Sequence, residues 1–99
     1  MATKVRRSSG NVFRDLGFSP VEAENLRIRS ELMACLRKLI EREGVTQTAA
    51  ARLFGVSQPR VSDLVRGRIE LFSIDALVNM LAKAGVRVTV TARARRRAA

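Results

Sequence analysis

The fold turns on Gln47-Thr48-Ala49-Ala50-Ala51-Arg52-Leu53-Phe54-Gly55-Val56-Ser57-Gln58-Pro59-Arg60-Val61-Ser62-Asp63-Leu64. This stretch reads as a helix, a tight turn at Gly55 and a second helix. Gly55 can take a positive φ, which a short turn between helices requires. Ala51, four positions earlier, is small enough for two helices to approach closely. Ser57 stands where a side-chain oxygen caps the first free N–H groups of the second helix. Pro59 falls in that helix's first turn, where a missing N–H matters least. Val56, Val61 and Leu64 are apolar at the places that face inward when the second helix crosses the first.

On these residues the run resembles the helix-turn-helix of the XRE (lambda-repressor-like) family of DNA-binding proteins. Gln47 opens the first helix, Ala51 and Gly55 set the turn, and Val61 and Leu64 close the core. Glycine turns of this kind also occur in helical proteins that never meet DNA, and the charge balance weighs against that alternative.

The chain has 99 residues, of which 46% are hydrophobic, enough for one small domain with a packed core. Lys and Arg number 19 against nine Asp and Glu, a formal net charge of +10, which favours a polyanionic partner. The excess sits at the ends, in Lys4, Arg6 and Arg7 and in Arg93, Arg95, Arg96 and Arg97; the remainder has 12 basic residues against nine acidic. Histidine is absent and Cys35 is the lone cysteine, so histidine triads, most zinc sites and an internal disulfide are excluded. No metal or other cofactor is expected. Cys35 lies among Leu32, Leu36 and Leu39 and reads as a small buried apolar residue. No apolar run approaches the roughly 20 residues that span a bilayer, and the start lacks the apolar core of a signal peptide. A cytoplasmic, nucleoid-associated location with no membrane partner is the expectation.

Residues 1–18 read as an N-terminal arm, basic at first and apolar later. Val12, Phe13, Leu16 and Phe18 crowd the segment Asn11–Phe18, and Gly17 suggests a stop after one helical turn. The arm either packs on its own domain or docks onto a partner. Residues 19–85 read as the DNA-binding domain. Ser19-Pro20-Val21-Glu22 is a helix start, with Ser19 as cap and Glu22 as the capping-box acid. Ile28, Leu32, Cys35, Leu36, Leu39 and Ile40 keep a helical period up to Gly44. That helix is long for the domain: its first half either extends beyond the core or breaks near Ser30. Thr46 caps the helix that ends at Gly55, and the second helix of the motif runs from Gln58 to about Arg66. Arg68–Phe72 is a connector pinned by Ile69, Leu71 and Phe72. Ser73 caps a last helix with Ile74, Leu77, Val78 and Leu81 inside.

From Val86 the period changes to two: Val86, Val88 and Val90 alternate with Arg87, Thr89 and Thr91, as in a strand. One strand alone leaves its backbone edge unpaired. The segment 86–92 is therefore read as dimerising, pairing with its copy in a second chain; pairing with the N-terminal arm, or simple packing as a tail, are the alternatives. Residues 93–99 form a basic tail.

A helix fits the major groove, where each base pair shows a distinct donor and acceptor pattern. In the motif the start of the second helix meets the base edges. By position the base readers are Gln58, Pro59, Arg60, Ser62 and Asp63. Gln suits adenine and Arg suits guanine; Pro59 offers only apolar contact; Asp63 either accepts from cytosine or repels phosphate. Thr46, Gln47, Ser57, Arg66 and Arg68 lie at helix ends and in the next loop, where phosphate contacts set register.

The order NVFRDLGF, a long helix, TQTAAARLFGVSQPRVSDLVRGRIELFSIDALVNML and VRVTV resembles, over nearly the full length, the HigA-like antitoxin subgroup of the XRE family. The resemblance implies an all-α, lambda-repressor-like bundle of about five helices with a short C-terminal β-strand paired across a homodimer. It implies a transcriptional repressor that binds a palindromic operator in double-stranded DNA, neutralises a RelE/HigB-like toxin and represses its own operon. Val12, Phe13, Leu16 and Phe18 are the expected toxin contact. A stand-alone XRE regulator, or an interaction module that has lost DNA binding, are the alternatives. Enzyme chemistry is not expected, since the remaining Ser and Asp residues fit caps and surface positions.

Overall fold

Four helices start on hydroxyl side chains that the sequence marks as caps. Ser19 Oγ accepts from the Glu22 amide at 3.2 Å, Thr46 Oγ1 from Ala49 at 3.1 Å, Ser57 Oγ from Arg60 at 3.4 Å and Ser73 Oγ from Ala76 at 3.1 Å. Each satisfies a donor that a helix start leaves free. The computed structural model describes residues 11–94. The order is α1 (Val12–Asp15), α2 (Pro20–Glu43), α3 (Gln47–Phe54), α4 (Gln58–Val65), the 3₁₀ turn Ile69–Leu71, and α5 (Ile74–Lys83). The basic residues of segment 1–10 and those of 95–99 lie outside the described residues.

The core is one cluster. Met33 and Leu36 of α2, Ala50, Ala51 and Phe54 of α3, Val61 and Leu64 of α4, Phe72, and Leu77, Met80 and Leu81 of α5 are all buried in it. α2 packs on α5, on α4 and on the 3₁₀ turn, and α3 packs on α4 and α5. Helix α2 is unbroken through Ser30 and spans 24 residues, about 36 Å at the usual rise. Its first half is held by local pairs: Arg27 bridges Glu24 and Glu31, each at 2.7 Å, and Arg29 Nε donates to Asn25 Oδ1 at 2.7 Å. The Glu24 hydrogen bond is the main cause raising the Arg27 pKa above its ordinary value. These pairs are exposed and each adds little stability.

The arm does two things. Asn11 caps α1, accepting from the Phe13 amide at 2.9 Å, and its Nδ2 donates to the Ala23 carbonyl at 3.2 Å. Phe13 meets Phe18 edge to face at 6.2 Å. Here α1 packs on α2, where Ala23 is fully buried. Val12, Leu16 and Phe18 nevertheless remain exposed, with Val21 beside them in sequence.

Two expectations need correction. Cys35 is exposed rather than buried. Met33 and Leu36 mark the inner face of α2, and at 100° per residue Cys35 lies about a third of a turn away from that face. The second concerns 86–92, which forms no strand among the described residues. Val86 and Val88 are half-buried against their own core, while Val90 is 84% exposed. The alternating pattern thus turns its first valines toward α5 and its own domain. Beyond the Val86 amide, which donates to Leu81, no backbone group from Arg87 to Ala94 is hydrogen-bonded among the described residues.

Candidate nucleic-acid interface

The turn between α3 and α4 is closed at its centre by Gly55, at φ +70°. The Gly55 amide donates to the Arg52 carbonyl and the Val56 amide to that of Ala51, so the last carbonyls of α3 are satisfied before the chain reverses. A Cβ on Gly55 would lie 2.9 Å from Lys83 Cδ of α5. The Lys83 side chain thus passes close over the turn, whose left-handed backbone favours glycine.

Helix α4 has one committed face. Val61 and Leu64 are fully buried. At 100° per residue, the opposite direction carries Pro59, Ser62, Asp63 and Arg66, with Gln58 a quarter turn to one side. Gln58, Pro59 and Arg66 are exposed, and Ser62 and Asp63 are half-buried. Of the expected base readers, Gln58, Pro59, Ser62 and Asp63 thus lie together on one accessible strip. Between Thr46 and Arg68 four arginines stand against a single acid, Asp63, so this part of the surface is positive. Thr46, Ser57, Arg66 and Arg68 are exposed and Gln47 is half-buried. The Thr46 and Ser57 hydroxyls accept the cap hydrogen bonds, which leaves each O–H proton available to donate. Arg52 on α3 is also exposed, a basic side chain that the motif-based reading passed over.

Arg60 is placed differently from the other four. It lies about 70° from the buried direction of α4, and its guanidinium turns toward the segment that follows the helix. Arg60 Nη1 donates to the Leu71 carbonyl at 3.0 Å, and Cζ lies 4.3 Å from the centroid of the Phe72 ring. The same segment is held from the other side by Arg29 of α2, whose Nη1 donates to the Ile69 carbonyl at 3.1 Å and the Phe72 carbonyl at 3.3 Å. No sequence signal points to this meeting, because Arg29 lies 40 residues from its nearer partner.

Among the described residues no cluster of His, Cys, Asp or Glu could hold a metal ion, and no helix is long and apolar enough to cross a membrane. An open groove of about 840 Å³ lies between the arm, the first half of α2 and the chain near Arg93. It lies along the end of α2 that carries the arm.

The helix-turn-helix domain family matches residues 12–93. A solved chain provisionally assigned to the XRE family of transcriptional regulators is similar in structure, with a TM-score of 0.71 and 32% sequence identity, over 79% of this chain and 91% of that one. No curated protein matches. With the family match extending over most of the length and the structural likeness over most of both chains, the chain belongs to the helix-turn-helix domain family, in its XRE-type form.

Proposed function

We propose that this protein is a sequence-specific repressor of transcription that reads a palindromic operator as a dimer, and that it is the antitoxin of a toxin–antitoxin pair that controls its own operon. The observation that carries the DNA reading is the strip on α4. Pro59, Ser62 and Asp63 face away from the buried Val61 and Leu64, with the exposed Gln58 a quarter turn to one side, on a segment with an excess of arginine. Offered to the major groove, Gln58 pairs in a bidentate manner with adenine, Pro59 packs on a thymine methyl, Ser62 hydrogen-bonds a base edge and Asp63 accepts from cytosine. Thr46, Gln47, Ser57, Arg66 and Arg68 hold the flanking phosphates. A nucleoid location and a non-enzymatic role follow from that reading.

The proposed dimer rests on the backbone edge of 86–92, free among the described residues from Arg87 onward. Val86 and Val88 cover their own core, so pairing runs through the main chain, and the exposed Val90 adds to the contact. The antitoxin role rests on the arm, where Val12, Leu16 and Phe18 stay exposed while Asn11 ties the arm to α2 through the Ala23 carbonyl. Small proteins seldom leave several apolar side chains together in water without a partner. A RelE/HigB-like toxin is the partner this reading assigns to them.

Selection from a random duplex pool, followed by binding measurements at fixed moderate salt, tests the central reading. The expected result is one palindromic sequence preferred over random competitor. Gln58→Ala then relaxes the preference at one base pair per half-site, by about 1–3 kcal/mol, and leaves non-specific binding unchanged. Enrichment of no sequence would end the reading.

A further inference from the structure

Among the described residues, the 3₁₀ turn Ile69–Leu71 leaves the Leu71 and Phe72 carbonyls without a backbone donor, while the Ile69 carbonyl accepts from the Phe72 amide. In this chain cationic side chains from two other helices take them. Arg29 of α2 spans the Ile69 and Phe72 carbonyls, and Arg60 of α4 takes Leu71 while lying over the Phe72 ring. Phe72 is buried in the core, so the ring under Arg60 is fixed. Arg29 is itself oriented by Asn25. Charge-assisted hydrogen bonds of this kind are directional and stronger than neutral ones.

The consequence falls on α4. Its C-terminal end is already tied to the turn through the Arg68 amide, which donates to the Asp63 carbonyl, and the Gly67 amide, which donates to Leu64. Arg60 lies in the first turn of α4, next to Gln58 and Pro59. Its bond to Leu71 ties the start of the helix to the same turn that restrains its end. We infer that Arg29 and Arg60 together form a clamp on the 69–72 segment that sets the pose of α4, and that Arg60 is a positioning residue rather than a reader of bases. This deepens the DNA-binding reading and rests on it for its functional consequence.

The test uses the full chain with Arg60→Ala, Arg60→Lys, Arg60→Met, Arg29→Ala and the Arg29→Ala/Arg60→Ala pair. Hydrogen exchange of the free protein reports on the clamp, and binding to the selected operator and to every single-base variant of it reports on readout. With the clamp, Arg60→Ala and Arg29→Ala each speed exchange across Val61–Val65. Each also lowers the ratio of operator to random-sequence affinity by about tenfold, spread over all base pairs, since one lost charge-assisted bond is of that size. The double variant loses less than the two single losses combined, because both act on one segment. Arg60→Lys recovers part of the ratio, and Arg60→Met, which keeps packing over Phe72 without a donor, does not. Relaxed preference at a single base pair in Arg60→Ala, with Arg29→Ala unchanged, would make Arg60 a base reader and overturn the clamp. Unchanged exchange in both variants would also overturn it, independently of DNA. A wild-type chain without sequence preference, but with exchange accelerated in the variants, would leave the clamp standing and remove the DNA-binding reading instead.

Discussion

At the scale of single residues, the motif depends on a few positions where backbone conformation or capping restricts the choice of residue. Gly55 combines a left-handed backbone with the close passage of Lys83. Lys83 is flexible enough to shift for a methyl group, so the backbone sets the penalty. Gly55→Ala is expected to destabilise the protein by about 1–2 kcal/mol, read as a lowered midpoint in urea unfolding. The caps at Ser19, Thr46, Ser57 and Ser73 were legible because capping depends on residue type and on position within a few neighbours. Cys35 was not legible. Its neighbours Leu32, Leu36 and Leu39 share its stretch of helix, but Met33 shifts the buried face of α2 away from it. Arg60 shows the same limit more sharply. Its place in the first turn of α4 suits a base reader, and only the return of Leu71 and Phe72 beneath it reveals another engagement.

At the scale of elements, the arm and the C-terminal segment carry the partner interactions proposed for this chain. Leu16 is 69% exposed on an arm that is tied to α2 elsewhere, by Asn11. Leu16→Glu is therefore expected to leave the unfolding midpoint and operator affinity unchanged while abolishing capture of the proposed toxin partner. A toxin bound as tightly by the variant would remove the arm from the interface. For 86–92, successive amides of a strand point to opposite edges. Of Thr89→Pro and Val90→Pro, one must strike the edge used for pairing, and neither touches the half-buried Val86 or Val88. Light scattering should give a dimer for the wild type and a monomer for one of the two variants. A monomeric wild type at micromolar concentration would rule the ribbon out. Period two was legible as a pattern, but the pattern does not say which surface the valines meet. Their own core was the nearer one for Val86 and Val88.

At the scale of the whole molecule, charge and shape act together. The net charge of +10 is concentrated at the ends of the sequence, while the helix-turn-helix carries its own smaller excess. Non-specific affinity then depends on counterion release and falls with salt. Arg66→Ala and Arg68→Ala, each removing one proposed phosphate contact, should each reduce the slope of log affinity against log salt by about one, with sequence preference retained. Titration of binding against potassium chloride measures this, and an unaltered slope would take that arginine out of the phosphate set.

The sequence alone determined the helix order, the caps, the turn at Gly55 and the buried face of α4. Each depends on contacts within about one or two helical turns, where spacing and residue type decide the outcome. Tertiary structure decided how the 69–72 segment is held, that Cys35 meets water, and that the arm packs on α2 with Val12, Leu16 and Phe18 left outside. Those outcomes depend on groups brought together from distant parts of the chain, such as Arg29 with Phe72 and Asn11 with Ala23. Their distances are set by how the helices pack around one core, and local sequence carries no record of that packing.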